Sequence, residues 1–516
     1  MQGKKYSQPK LFTTFKIEER VPKDNFYRRL KEVLDLRFLY PQTKGYYGDC
    51  GQKSLDPVVF FKLCLVGYLE NMISDRQLIE HCSMRLDILY FLEYDIDQEL
   101  PWHSTISRTR KLFPEAVFES VFTKVFGMCV EKGMVSGHTQ AIDAAPVKAN
   151  ASMDSLELKV PEEELDDHLR QVRYMSSPDR VNKRKAKENK APKEQQQISA
   201  TEGELKSLKS RNKKWSEDQD QRVGAGNKGS KYTSNKTHYS PTDPDARISV
   251  KPGKARKLNY TAQLAVDSAH HVISDISADF ADKKDNQSLQ HVSRRVKERL
   301  DQHGLLWHNL LADTGYSSGD NYAYLERVGL RSFIPPHGTY KGCPDHMVYN
   351  RAGDYYVCRN GKHLTHRKVK YSVKGTKENH YATGRNDCRG CVYAQECKGN
   401  SHEKRVRVTY YKPEYERAIA RIKSKEGRYM KGKRQSTVEP VFGTLTQFMG
   451  LRKVNTKGIR QAHKVMLMSA VAYNIKKYLR FTQKLVQSGV AAAHSFLNEI
   501  IGVLWPIYSA CKPLKI

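Results

Sequence analysis

Acidic side chains are in short supply. Against 88 lysines and arginines the 516-residue chain sets 57 aspartates and glutamates, for a formal net charge of +31. An excess of that size points to a polyanion as partner, nucleic acid ahead of a membrane surface. Apolar residues are also sparse. At 39% they are few for a compact globule, which implies a long polar segment diluting otherwise ordinary domains. The length allows roughly two to four of these. No apolar run of secretory type follows Met1-Gln2-Gly3-Lys4-Lys5. The most apolar tail, Phe496 to Ile507, contains Asn498, Glu499 and a proline and is too short to span a bilayer. Ten cysteines without a secretory signal are expected to be reduced, as thiols or metal ligands instead of disulfides. Internal repeats are lacking.

What is present falls into blocks. Residues 1–132 read as an N-terminal helical, DNA-binding domain. Asp24 to Leu34 reads as a helix. Asp56-Pro57 is a start signal, with aspartate as N-cap and proline at the first helical position. Ser74-Asp75-Arg76-Gln77 has capping-box form, and a third helix covers Leu86 to Leu92. After a proline-tryptophan break, Ser104 could cap a short basic helix whose Arg108, Arg110 and Lys111 suit a DNA groove or phosphates; a solvated basic face is the alternative. Phe113 to Lys132 is amphipathic. Residues 155–240 carry few apolar side chains. They read as a charged linker inserted in the next domain, ordering on DNA or simply solvated.

Residues 133–480 read as a mixed α/β domain. A first strand is expected to end at Asp143, followed by a small, polar loop over Ala144 to Ser152. Lys257 to Val266 alternates as a strand with His271 to Ile276 as its hairpin partner. Leu289 to His303 is a charged helix, the next strand ends at Asp313, and Ser317-Ser318-Gly319-Asp320 starts a helix before a strand over Arg331 to Ile334. Residues 337–410 break the pattern as a small strand-rich insertion. They hold Cys358, Cys388, Cys391 and Cys397. Four cysteines with one close pair suit a tetrahedral structural Zn²⁺, with His363, His366 and His380 as substitutes; reduced buried thiols are the other reading. Lys412 to Tyr429 is a basic helix. The helix after it sets Glu439 beside an apolar stripe of Val438, Phe442 and Leu445. Arg460 to Tyr478 is a core helix, and residues 481–516 an amphipathic tail.

Two strand-end aspartates and one later helix glutamate supply the oxygen ligands that Mg²⁺ or Mn²⁺ prefers. Aspartates at strand ends are often only turn or cap residues, and Asp267, Asp275 and Asp279 are read that way. The three others sit in blocks that together resemble bacterial insertion-sequence transposases of the DDE class. These blocks are Ala141-Ile142-Asp143, Ala312-Asp313-Thr314-Gly315-Tyr316-Ser317, and Lys433-Arg434 through Val438-Glu439-Pro440-Val441-Phe442-Gly443. The segments Trp102-His103-Ser104-Thr105 and Asp243-Pro244-Asp245-Ala246-Arg247 fit the same family, so the likeness covers most of residues 10–480.

The resemblance implies a ribonuclease H-like mixed sheet, with an N-terminal all-α domain and a β-rich insertion before the glutamate helix. It implies that Asp143, Asp313 and Glu439 hold two Mg²⁺ or Mn²⁺ ions for cleavage and transfer of DNA strands at terminal inverted repeats. Lys433, Arg434, Arg452 and Lys453 would position the DNA backbone. It further implies target DNA as a second substrate, a homodimer on DNA, and a cytoplasmic, nucleoid-associated location. The chain departs from many relatives where Thr446 stands in place of a lysine and where Tyr429 and Arg434 match the family offsets only approximately. Alternative readings are a metal-dependent nuclease of the same fold and a non-catalytic DNA-binding descendant.

Overall fold

The computed structural model describes residues 15–48, 54–158, 235, 238–249, 256–338, 340, 342–372, 375–398 and 401–510, with side chains described as far as Lys484 except at Leu158. The central part of the expected linker and the first basic residues lie outside the described residues.

The chain opens with eight helices: α1 (Ile17–Arg20), α2 (Phe26–Val33), α3 (Leu39–Thr43), α4 (Pro57–Leu69), α5 (Asp75–Ser83), α6 (Leu86–Leu92), α7 (His103–Leu112) and α8 (Glu115–Glu131). Local chemistry sets their starts. The Asn25 carboxamide accepts from the backbone N–H groups of Tyr27 and Arg28. Asp56 accepts from those of Val58 and Val59, with Pro57 filling the first helical position. Ser74 caps α5 through the Gln77 N–H. The α7 helix departs from expectation. It begins at His103 with no side-chain cap at Trp102, and Ser104, already inside it, accepts from Arg108 instead. Helix α4 is apolar on most of its circumference and buries Phe60, Phe61, Leu63, Leu65 and Val66, as a helix enclosed by others must.

The main sheet uses β1 (Thr139–Lys148), β4 (Arg247–Ser249), β5 (Lys257–Asp267), β6 (Ile273–Phe280), β7 (Asn309–Leu311) and β8 (Arg331–Phe333). Its order is β6-β5-β1-β7-β8, with β4 extending the β6 edge of β5. The β6-β5 and β5-β1 pairs are antiparallel, whereas β1-β7 and β7-β8 are parallel. Three antiparallel strands continued by two parallel ones form the expected ribonuclease H-like mixed sheet. Helices α9 (Asp285–Asp301) and α10 (Gly319–Arg327) link the later strands.

The first strand does not stop at Asp143. It stays paired with β5 from Gln140↔Asp267 to Lys148↔Asn259, so half of the expected loop is strand. The long alternating run of β5 provides a partner for every residue. Beyond it, Lys148 also pairs with the backbone at Arg452 and Val454. The two described ends of the linker meet in a short antiparallel pair, β2 (Glu157–Leu158) with β3 (His238–Tyr239).

A single apolar core runs through α2 to α8 and the sheet, while α1 buries no side chain. Helix α14 (Ile459–Ala510) joins them by packing on α4, α8 and β6. It carries on beyond the expected Tyr478 and takes in most of the expected tail. A buried charge cluster reinforces the junction. Asp275 on β6, fully buried, pairs with Arg295 and Arg299 of α9, and both arginines reach Glu119 on α8. His463 on α14 also meets Glu119, Nε2 to Oε1, at 2.9 Å. Burial alone would push the Glu119 carboxyl up, but the His463 hydrogen bond and the Arg295 charge outweigh it and hold it at about 2.

The insertion is a separate five-stranded antiparallel sheet. Its strands are β9 (Val348–Asn350), β10 (Tyr355–Val357), β11 (His363–Tyr371), β12 (Lys377–Ala382) and β13 (Arg405–Thr409), in the order β13-β12-β11-β10-β9. It buries a small core of its own, made of Tyr356, Leu364, Tyr381, Val406 and Val408. The short helix α11 (Ala394–Lys398) precedes β13. After the sheet, the expected single basic helix is two, α12 (Lys412–Lys423) and α13 (Lys425–Phe448). Ser424 breaks it by adopting an extended conformation and capping α13 through the Gly427 N–H at 3.0 Å. The turn is so tight that a Cβ at Gly427 would run into the Arg421 and Ile422 carbonyls.

Candidate active site

Asp143 lies mid-strand on β1, at the point where its parallel neighbour stops. The β1-β7 ladder ends at Ala141↔Leu311, so Asp143 and Asp313 each follow the last pair by two residues, Asp313 beyond the end of β7 and Asp143 still paired with Leu264 of β5. Asp313 caps a short 3₁₀ turn, Thr314–Tyr316, by accepting from the Gly315 N–H at 2.9 Å. The turn is close-fitting at Gly315. A Cβ on it would come 2.9 Å from an Asp285 carboxylate oxygen and 3.0 Å from one of Asp313. Tyr316 is buried beneath, its hydroxyl donating to Gln263 of β5 at 2.7 Å.

Glu439 arrives from α13. That helix anchors itself with Val438, Val441 and Leu445, all fully buried. Phe442, expected in the stripe, is only half-buried, so the apolar face is turned slightly from expectation. Pro440 sits inside the helix and removes one backbone hydrogen bond just beyond the glutamate. The Glu439 side chain is 62% exposed.

Arg434, a little over one turn earlier on α13, reaches both carboxylates. Its Nη1 donates to Asp143 Oδ2 at 2.8 Å, and its Nη2 lies 3.9 Å from Glu439 Oε1. Burial raises the Asp143 pKa and the Asp313 charge raises it further; the Ala144 N–H and Arg434 work in the opposite direction without cancelling it. Arg434 therefore offsets the burial of Asp143 only in part. Carboxylate oxygens are the ligands a hard divalent cation prefers. Among the described residues no three His, Cys, Asp or Glu side chains converge as a finished ligand set. Arg434 lies against two of the three carboxylates.

The other expected site residues divide. Arg452 and Lys453 are exposed where the chain pairs with the end of β1. Lys453 shares a groove of about 570 Å³ with Lys148 and Lys257. Lys433 is half-buried on α13, and Arg108 and Lys111 are exposed on α7. Arg110 must be corrected. It is 8% exposed and makes a two-pronged ion pair with Asp75, at 2.7 and 3.0 Å. It ties α7 to α5 and is not available to a phosphate.

Cys358, Cys388, Cys391 and Cys397 are free thiols, all half-buried, and belong to no metal-binding cluster among the described residues. Cys358 packs against the small core of the insertion, while Cys388 Sγ lies 3.3 Å from the Thr383 hydroxyl. Of the candidate substitutes, His363 pairs with Val357, next to Cys358, and its ring stacks on Tyr355. Asp285 went unnoticed in the sequence. Its only signal is its place at the start of a helix, which marks many aspartates that have no site role.

A family model for a transposase domain (DUF772) matches residues 15–112, the helical region up to the end of α7. A model for a transposase DDE domain matches residues 357–479, from the insertion sheet through the Glu439 helix into α14. This chain belongs with the insertion-sequence transposases of the DDE class. The chain matches no curated protein. The transposase keeps the order of parts that the two matches require. Its helical region lies ahead of the sheet, and its Glu439 helix follows the insertion. Asp267, Asp275 and Asp279 have structural duties. Asp267 accepts from Gly137 N–H and Gln140, Asp275 is held by the two arginines, and Asp279 accepts from Ser288 at 2.6 Å. No described helix is long and apolar enough to cross a membrane.

Proposed function

We propose that this transposase binds the terminal inverted repeats of its own element, cleaves the DNA at the element ends and joins them to target DNA, with Asp143, Asp313 and Glu439 as the catalytic carboxylates. The observation that supports the reading is the equivalent placement of Asp143 and Asp313, each two residues past the last β1-β7 pair, with Glu439 linked to Asp143 through Arg434. Asp143, Asp313 and Glu439 would hold Mg²⁺ or Mn²⁺, which supplies an activated attacking oxygen and a stabilised leaving oxygen for in-line displacement at a phosphodiester.

The chain's own residues do the rest. Asp143 and Asp313 are positioned by the sheet and by the Gly315 turn, so their separation is set by backbone geometry. Arg434 neutralises Asp143 in the free protein and is placed to meet a phosphate once the carboxylates are engaged. Arg452, Lys453, Lys148 and Lys257 flank the end of β1 and offer backbone contacts to DNA; Lys433, Arg108 and Lys111 are further candidates. Holding two element ends together calls for a dimer on DNA.

The Asp313→Asn variant tests the assignment. It should lose cleavage and joining of terminal-repeat DNA while binding that DNA as tightly as wild type or slightly more so, because a negative charge near phosphate is removed. Cleavage at the wild-type rate would remove Asp313 from the site. Cleavage without joining of pre-cut ends by the wild type would favour a nuclease of the same fold.

A further inference from the structure

The insertion sheet has a second face. Directly paired residues on antiparallel strands project to the same side, so the register fixes which side chains share it. One row is Arg407↔His380↔Lys368, the next is Thr409↔Glu378↔Lys370, and the third is Arg405↔Ala382↔Thr365. This face lies opposite the small core, because Val406 and Val408 alternate with Arg405, Arg407 and Thr409. Arg405, Arg407, Lys368 and Lys370 are exposed and His380 is half-buried.

Like charges set directly opposite each other destabilise a sheet. Arg407 and Lys368 flank His380 in one row across three strands, so a proton on His380 would set three like charges in line. The one acid in the three rows is Glu378, with Oε2 3.8 Å from His380 Nε2, while Arg405 already pairs with Glu403 at 2.8 Å. The row crosses three strands and so covers about 10 Å, wide enough to meet more than one charge of a duplex that carries one per about 1.7 Å of its axis. The face also leads to the catalytic side. Glu378 and Thr409, at its edge, line a cleft of about 1350 Å³ whose opposite wall includes Thr314, Gly315 and Asp285, beside Asp313.

We propose that this face of the insertion sheet, centred on Arg407, His380 and Lys368, is a phosphate-contact surface for the backbone of duplex DNA running toward Asp313. The proposal rests on the transposase reading for its choice of polyanion, and no side chain in the rows is assigned to a base. His380 adds a proton linkage. Burial lowers its pKa, Arg407, Lys370 and Lys368 lower it further, and Glu378 alone opposes them. A phosphate laid on the row favours the protonated ring, so DNA binding takes up a proton and tightens as pH falls toward the lowered pKa of the free ring.

The test is a salt titration of DNA affinity by fluorescence anisotropy. It uses the full-length protein with Ca²⁺, on a duplex of the terminal repeat and on one of unrelated sequence. In the double variant Lys368→Gln/Arg407→Gln the slope of log affinity against log salt should fall by about 2 on both duplexes. The melting temperature should hold or rise slightly, as the like-charge row is relieved. His380→Gln should lose the pH dependence. An unchanged slope in a folded double variant would overturn the proposal and leave a merely solvated face. Should the double variant melt early, Lys368→Gln alone decides, with a slope change of about 1 or none. A wild type that neither cuts nor joins DNA would defeat the catalytic reading and leave this slope comparison standing. An unchanged slope beside normal cleavage would defeat only the surface.

Discussion

The two sheets of this transposase are built to opposite designs. The main sheet shares one core with helices α2 to α8 and with α14, and its junction is pinned by a cluster of buried charges. The insertion sheet stands on five buried side chains and carries the basic row Arg407, His380 and Lys368. The difference teaches where precision is invested. The carboxylates Asp143 and Asp313 are fixed by a large body in which shifting a strand means disturbing everything packed on it. The insertion needs only to hold a charged face in place, and a small core suffices.

That contrast can be broken first at the buried cluster. Asp275→Asn leaves Arg295 and Arg299 with weakened partners deep in the main body. A loss of about 3–5 kcal/mol is expected, read by denaturant unfolding, with the helices and the main sheet lost in one transition. Acid attacks the same cluster. Glu119 is held at about 2 against an ordinary 4.5. Its contribution is therefore fully present above about pH 4.5 and is lost as pH falls toward 2, a shift worth on the order of 3 kcal/mol. Glu119→Gln should be less stable at neutral pH and flatter in this window.

Leu364→Ala sharpens the comparison from the other side. A cost of about 2 kcal/mol is expected, confined to the insertion. Hydrogen exchange should speed up in β10 to β13 while the main body keeps its protection. The smallest effect is expected at the site itself. The raised pKa of Asp143 means that the native state binds its proton more tightly than the unfolded chain does. Stability is therefore given up as pH rises through that pKa. Asp143→Asn should consequently show a small rise in melting temperature at pH 7, measured without metal, together with lost cleavage.

Much of this architecture could be read from local signals. Asp56-Pro57, Ser74 and Ser318 mark helix starts because a cap acts within three residues. The alternation of Lys257 to Val266 marks a strand because one face is buried. The three carboxylates were legible only through neighbouring motifs, since each aspartate alone looks like a cap, and Asp313 is indeed one. What sequence could not show depends on partners far along the chain. Arg110 reads as a free base until Asp75, 35 residues earlier, is seen to hold it. The extension of β1 past Asp143 depends on β5, more than a hundred residues on. The split between α12 and α13 depends on one extended serine within an otherwise helical composition.

The central claim is that Asp143, Asp313 and Glu439 act together in DNA strand cleavage and transfer. The most direct measurement is nicking and joining of a labelled duplex bearing the DNA that flanks this transposase's own gene, in Mn²⁺ or Mg²⁺, with wild type beside Glu439→Gln. The expected result is metal-dependent nicks at the element boundary and joined products from the wild type, with both absent from the variant although it still binds the DNA. Nicks and joined products from Glu439→Gln at the wild-type rate would contradict the account.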